Sequence, residues 1–274
     1  HSLSAWQAYS IKTYYVATTG SDQNPGTFAE PFRTIQKAAF EMKPGDTCLV
    51  RSGVYRECIK PPRGGISENH RITYMAYPGE TPVIKGSERI TNWQSQGNDI
   101  WMAELPDSFF GDFNPYQMHI YGDLISKYKM ADTTIWLEFG QEYHLGDVYN
   151  EGVPFVETLK KEEMISSAKT WYTESTQGIT RIWAHFDNGN PNEELSEINV
   201  RECVFFPELP GLKYITVSGF TLQQAACYWA PPNSFQKGLI GTHFGKSWII
   251  QNCHITDAKC VGICSGNIYG RHSL

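Results

Sequence analysis

Between Lys213 and Ile263 the chain writes one pattern twice. Set Val217-Ser-Gly-Phe-Thr-Leu222 over Ile250-Gln-Asn-Cys-His-Ile255. Val217 falls on Ile250, Gly219 on Asn252, Leu222 on Ile255 and Ala225 on Ala258. In each copy a β-branched run ends at Gly or Asn, and a second short strand follows. Gly and Asn accept left-handed backbone at least cost, so each marks a sharp corner. A strand–corner–strand unit that repeats is the mark of a solenoid whose coils stack one upon the next. The expectation is a parallel β-helix.

The rest of the chain extends this reading at both ends. Tyr14–Ala17, Thr47–Arg51, Gly53–Glu57, Arg71–Tyr77 and Thr81–Gly86 read as short strands. Pro31 to Phe40 reads as an amphipathic helix, with Phe32, Ile35, Ala39 and Phe40 on one stripe. A helix there would cap the open first coil and shield its apolar interior. From Ser87 to Val200 the rhythm breaks. Ile179–Phe186 alternates like a half-buried antiparallel strand, and Asp147–Gly152 reads as a hairpin turning at Asn150-Glu-Gly152. The fold class expected is therefore all-β: a right-handed parallel β-helix with an N-terminal capping helix and an inserted antiparallel β-sandwich. The expected divisions are 14–87 for the capped first coils, 88–200 for the insertion and 201–274 for the resumed helix. Residues before Tyr14 show no clear pattern.

Composition narrows the partners. A formal charge of −6 argues against nucleic acid and against an anionic membrane, both of which want a basic face. No run approaches the ~20 apolar residues of a membrane span. Aromatic residues make up 14% of the chain, including 8 Trp and 15 Tyr, which suits stacking on sugar rings as well as filling β-rich cores. The seven cysteines are odd in number and irregular in spacing, and several sit inside apolar strands. They read as buried free thiols of a reducing compartment, so a cytoplasmic location is expected. No His, Cys or Asp cluster has metal-ligand spacing and no Gly-rich phosphate loop is written, so neither metal nor cofactor is expected.

Several segments resemble, in order and spacing, the N-terminal half of the family-120 glycoside hydrolases, which are β-xylosidases. They are VIKGSERI (Val83–Ile90), SFFGDFNPY (Ser108–Tyr116), HLGDVY (His144–Tyr149), DNGNPNEE (Asp187–Glu194) with EINVR (Glu197–Arg201), WAPP (Trp229–Pro232), GLIG (Gly238–Gly241) and DAKC (Asp257–Cys260). The resemblance runs from about Tyr14 to Ile263. It implies a right-handed β-helix interrupted by a β-sandwich, and hydrolysis of short xylo-oligosaccharides with retention. It also implies a nucleophile Asp and an acid/base Glu on coils later than Leu274. The chain would then be a truncated form whose exposed last coil favours homo-oligomers. At Gly122-Asp123-Leu124 the family pattern has an aromatic residue after Gly-Asp, and this chain does not.

Three residues on the repeat stand out as sugar contacts. Trp229, followed by Ala230 and two prolines, offers a flat ring on a loop. His243 could hydrogen-bond a hydroxyl, or simply face solvent. Asp257 follows a strand at a coil edge, near Lys259, and Gln224 is its equivalent one coil below. It reads either as a substrate contact or as a turn residue paired with Lys259. Asp22, Asp46, Glu57 and Asp147 read as turn and cap residues. Two other functions fit the same architecture. One is a carbohydrate-binding module without catalysis. The other is a polysaccharide lyase, which would need a basic residue facing a uronate and an Asp-rich calcium site that is not written here.

Overall fold

The computed structural model describes residues 10–120, 143–230 and 235–266. Gly122-Asp123-Leu124, Pro231 and Pro232 lie outside the described residues.

The first coils comprise β1 (Thr13–Val16), α1 (Ile35–Glu41), β2 (Thr47–Val50), β3 (Val54–Tyr55), β4 (Ile72–Ala76) and β5 (Val83–Lys85). The middle of the chain gives β6 (Ser87–Arg89), β7 (Gln94–Gly97), β8 (Ile100–Pro106), α2 (Asp107–Phe110), β9 (Val148–Asn150), β10 (Val153–Pro154), β11 (Val156–Glu157), α3 (Lys161–Ser166), β12 (Thr170–Thr176), β13 (Ile179–His185) and β14 (Ser196–Asn199). Coiling resumes with β15 (Ile215–Ser218), β16 (Thr221–Ala225), β17 (Ile240–Gly241), β18 (Ile249–Gln251), β19 (His254–Ala258) and β20 (Ile263–Cys264).

Three parallel sheets form the helix, ordered β1-β2-β4-β15-β18, β3-β5-β16-β19 and β17-β20. The repeat read from the sequence is the register of these ladders. Val217 pairs with Ile250, and Leu222 and Ala225 pair with Ile255 and Ala258. Each match is one rung of a longer column. Cys48, Tyr74, Val217 and Ile250 stack in the first sheet, and Tyr55, Ile84, Leu222 and Ile255 in the second. These columns are the core of the solenoid. Gly219 and Asn252 turn the corners between the two sheets at φ +85° and +52°. Gly219 is needed for space as well: a Cβ there would lie 2.9 Å from Ala76 Cβ.

Helix α1 packs on β1 and β2. Its N-terminus is tied down twice. The Thr34 hydroxyl accepts from Lys37 N–H, and the Glu57 carboxylate accepts from Ile35 N–H and Gln36 N–H, both at 2.9 Å. The buried face is Ile35, Ala38, Ala39 and Met42, joined by Phe32. Phe40 departs from the expected stripe. It is 57% exposed, because the helix ends one residue later and presents that side to solvent.

The middle segment forms two further sheets, β10-β9-β14-β6 and β11-β12-β13-β8-β7, in which nearly all pairs are antiparallel. Val148 and Ile198 from one, and Ala103, Leu105, Trp171, Ile182 and Ala184 from the other, share a single core. The hairpin read at Asp147–Gly152 is the β9–β10 turn, with Glu151 and Gly152 at φ +48° and +77°. No helix among the described residues is long and apolar enough to cross a membrane.

Candidate functional site

The middle sheets meet the coils along a polar seam, and charge is concentrated there. Lowest on it is Glu197 of β14, which is fully buried. Arg56, just after β3, reaches it at 2.5 Å, and Lys85 of β5 at 2.8 Å. Gln224 of β16 donates to it at 3.3 Å and accepts from the Ser87 hydroxyl. Burial pushes the Glu197 carboxyl up, but hydrogen bonds from Lys85 and Arg56 prevail and hold it below the usual carboxylate range. This network locks three successive coils to the last strand of the insertion.

A second group lies on the coil that carries β19. Lys259 Nζ sits 2.7 Å from Asp147 Oδ1 and 3.0 Å from the Gly146 carbonyl. The Tyr149 hydroxyl donates to Asp147 Oδ2 at 3.4 Å. Asp147 is held from behind as well. Its N–H donates to Asn199 Oδ1 at 2.7 Å, and its carbonyl accepts from the Tyr116 hydroxyl at 2.7 Å. Burial pushes the Asp147 carboxyl up to about 6 against the opposing pull of Lys259. Burial, followed by the Asp147 charge, raises the Tyr149 phenol well above its ordinary value. The charge of Asp257 adds to this, which puts Asp257 in the same field. The group presents a carboxyl able to exchange a proton near neutrality, a neutral phenol and an ammonium.

Two expectations are corrected here. Lys259 does not pair with Asp257; its ammonium crosses to Asp147 on the insertion. Asp147 is not a turn or cap residue, since its carboxylate serves Lys259 and Tyr149. Asp22, Asp46 and Glu57 do cap backbone N–H groups as read.

The three singled-out residues fall in two places. Asp257 lies partly buried in β19 at φ +51°, directly above Gln224 at φ +61°. Its register neighbour one coil below is thus an amide and not an acid. Trp229 follows β16, half-buried, and its backbone N–H faces the Cys260 thiol, next to Lys259. Its neighbours Tyr228 and Ala230 pack with Leu145, Phe113 and Met118 of the insertion. His243 stands elsewhere, after β17. Its Nδ1 donates to the Pro207 carbonyl at 2.7 Å, and its ring stacks on Phe206 at 4.7 Å with Phe235 and Phe244 around it. It shares none of these contacts with Asp257 or Trp229. The residues missed from sequence are Asp147, Tyr149 and Lys259. The available signal was that HLGDVY and DAKC, which carry them, both belong to the matched segments. Among the described residues no group of three or more His, Cys, Asp or Glu could hold a metal ion.

Comparison with known proteins gives this seam a context. Residues 90–198 match the glycoside hydrolase 120 insertion domain, and residues 14–137 match the Pel9A-like right-handed β-helix region. A solved structure of XylC in complex with xylose is 42% identical, covers 94% of this chain and superposes with a TM-score of 0.83. The chain spans 43% of that protein. A second solved structure, described as a glycoside hydrolase, is 14% identical, with 78% of this chain and 51% of its own covered at a TM-score of 0.50; it bears on the fold alone. The uncharacterized protein YwoF of Bacillus subtilis (strain 168) is 38% identical over 78 residues, 28% of this chain and 16% of that protein. The chain thus carries an insertion domain of the glycoside hydrolase 120 type and resembles the family-120 glycoside hydrolases along nearly its whole length.

Proposed function

We propose that the chain forms part of a β-xylosidase that hydrolyses short xylo-oligosaccharides with retention. Helix α1 serves as the cap of the first coil in this reading, and residues 88–200 as an inserted sandwich that walls the sugar site. The observation that carries the proposal is the Asp147–Lys259–Tyr149 group. It sets hydroxyl-binding donors and acceptors where the insertion meets the coils, in a chain similar over 94% of its length to XylC, solved with xylose. Trp229 and Asp257 border the group and are assigned as sugar contacts; His243, held by Pro207 and Phe206, is assigned a place further along the substrate.

A retaining glycosidase needs two carboxyls about 5–5.5 Å apart. Gln224 beneath Asp257 leaves that acid without a stacked partner, so the nucleophile Asp and the acid/base Glu are assigned to coils that stack beyond β19, after Leu274. Release of 4-nitrophenol from an aryl β-xyloside tests this. Release by a form extended past Leu274 but not by this chain is the expected result. An extended form that binds no xylobiose and releases nothing would sink the proposal.

Binding without catalysis is the second reading, favoured by the same Gln224. For this chain taken alone, self-association through β18 and β19, which end their sheets among the described residues, is also proposed, and light scattering that finds a monomer at every concentration would count against it.

A further inference from the structure

Cys58 and Cys203 lie 145 residues apart in sequence, yet their sulfur atoms stand 3.3 Å apart. Backbone pairing brings them there. Ile59 N–H donates to the Val204 carbonyl at 2.8 Å and Phe206 N–H to the Ile59 carbonyl at 2.9 Å, so the two segments run side by side in adjacent coils. Their environments differ. Cys203 is 6% exposed, whereas Cys58 is half-buried and opens on a depression of about 390 Å³ lined by Phe40, Lys60, Pro62 and Leu209. Charge differs too. The hydrogen bond from Cys203 lowers the Cys58 thiol, with Lys60, Lys237 and Arg201 adding to it, while the same bond and burial raise Cys203. An accessible thiol with thiolate character beside a buried thiol is the arrangement of an attacking and a resolving cysteine.

We propose that Cys58 and Cys203 form a modification site: a dithiol that small disulfides of the glutathione class oxidise to an intrachain disulfide. The Cys58 thiolate attacks one sulfur of the oxidant, forming a mixed disulfide and releasing one thiol. Cys203 then loses its proton and attacks the Cys58 sulfur, expelling the second thiol. Two protein thiols are oxidised and one small disulfide is reduced to two thiols. Closing the bond draws the sulfurs from 3.3 Å to about 2.05 Å, a shift small enough for rotamer adjustment. The crosslink fastens the first coil to the segment that leaves the insertion at Val200-Arg201.

The test treats the full chain with excess oxidised glutathione and maps it without reduction. A Cys58–Cys203 crosslinked peptide and the loss of two hydrogens are expected, both reversed by dithiothreitol. The thermal midpoint should rise by about 10 °C, because a long loop is closed in the unfolded chain. In Cys203→Ser the reaction should stop as a glutathione adduct on Cys58. A stable adduct on Cys58 in the unaltered chain, a crosslink between other cysteines, or two unmodified thiols would each overturn the proposal, as would an unlabelled Cys58 in Cys203→Ser.

Discussion

Lys259, one residue beyond β19, reaches across to Asp147 on the insertion and meets its carboxylate at 2.7 Å. The pair is only partly satisfied by charge, because burial lifts Asp147 to about 6 from an ordinary 3.8. The folded chain therefore binds this proton more tightly than the unfolded chain does. The resulting stability is fully present below about pH 4 and is lost as pH rises through 6. At ~1.4 kcal/mol for each pH unit of difference, the loss comes to about 2–3 kcal/mol. Asp147→Asn removes the titration. Urea unfolding at pH 4 and pH 7 should show a fall in stability that is smaller in the variant by about that amount. Equal falls in the two proteins would refute the assignment.

Glu197 behaves in the opposite sense. Its carboxyl is held below the usual range, so its contribution is present above about pH 4.5 and is lost as pH drops through the lowered value. With Lys85 at 2.8 Å and Arg56 at 2.5 Å, the acid is fully paired inside the seam. Lys85→Met breaks one side and leaves buried charge less compensated. A loss of about 3–5 kcal/mol is expected in urea unfolding at pH 7. A loss below about 1 kcal/mol would mean that the network does not fasten the insertion to the coils.

The coils were legible because a solenoid repeats its constraints. Val217 over Ile250 and Leu222 over Ile255 follow from two aligned strings, since each corner demands Gly or Asn and each inward position an apolar side chain. The hairpin at Glu151-Gly152 was legible for the same local reason. The seam was not. Asp147 and Lys259 are 112 residues apart, and nothing near either one announces the other. Locally, Lys259 pointed to Asp257, two residues away; the strand geometry of β19 sends them differently. Glu197, Lys85 and Arg56 likewise come from three separate segments. Phe40 failed because helical spacing cannot say where a short helix stops.

The corners give a prediction that separates space from conformation. Gly219 and Asn252 hold equivalent left-handed positions in successive coils. Gly219→Ala meets both a strained φ and the Ala76 methyl at 2.9 Å, and should cost about 2–3 kcal/mol. Asn252→Gly relieves the φ of +52° and should change stability by less than about 1 kcal/mol. Urea midpoints of the two variants at constant slope provide the comparison. Equal effects would show that the corner is not what fixes the coil.

Trp229 offers the most direct reading of sugar binding by this chain itself. The residue is half-buried, its backbone N–H faces the Cys260 thiol next to Lys259 in sequence, and its neighbours Tyr228 and Ala230 pack on the insertion. A pyranose stacked there would shield the indole and change its emission. Titration with xylobiose should therefore quench part of the tryptophan fluorescence, and Trp229→Ala should abolish the change. Seven other tryptophans remain in that variant, so a quench that persists would move the site away from this loop. Asp147→Ala supplies the complementary case. It removes a hydrogen-bonding carboxylate but keeps the ring, so affinity should fall by about tenfold or more while the bound-state quench survives at saturation. Loss of the quench in Trp229→Ala, together with a weaker-binding but still quenched Asp147→Ala, would tie Trp229 and Asp147 to one sugar; a quench that persists in Trp229→Ala with affinity unchanged in Asp147→Ala would exclude the seam as the binding surface.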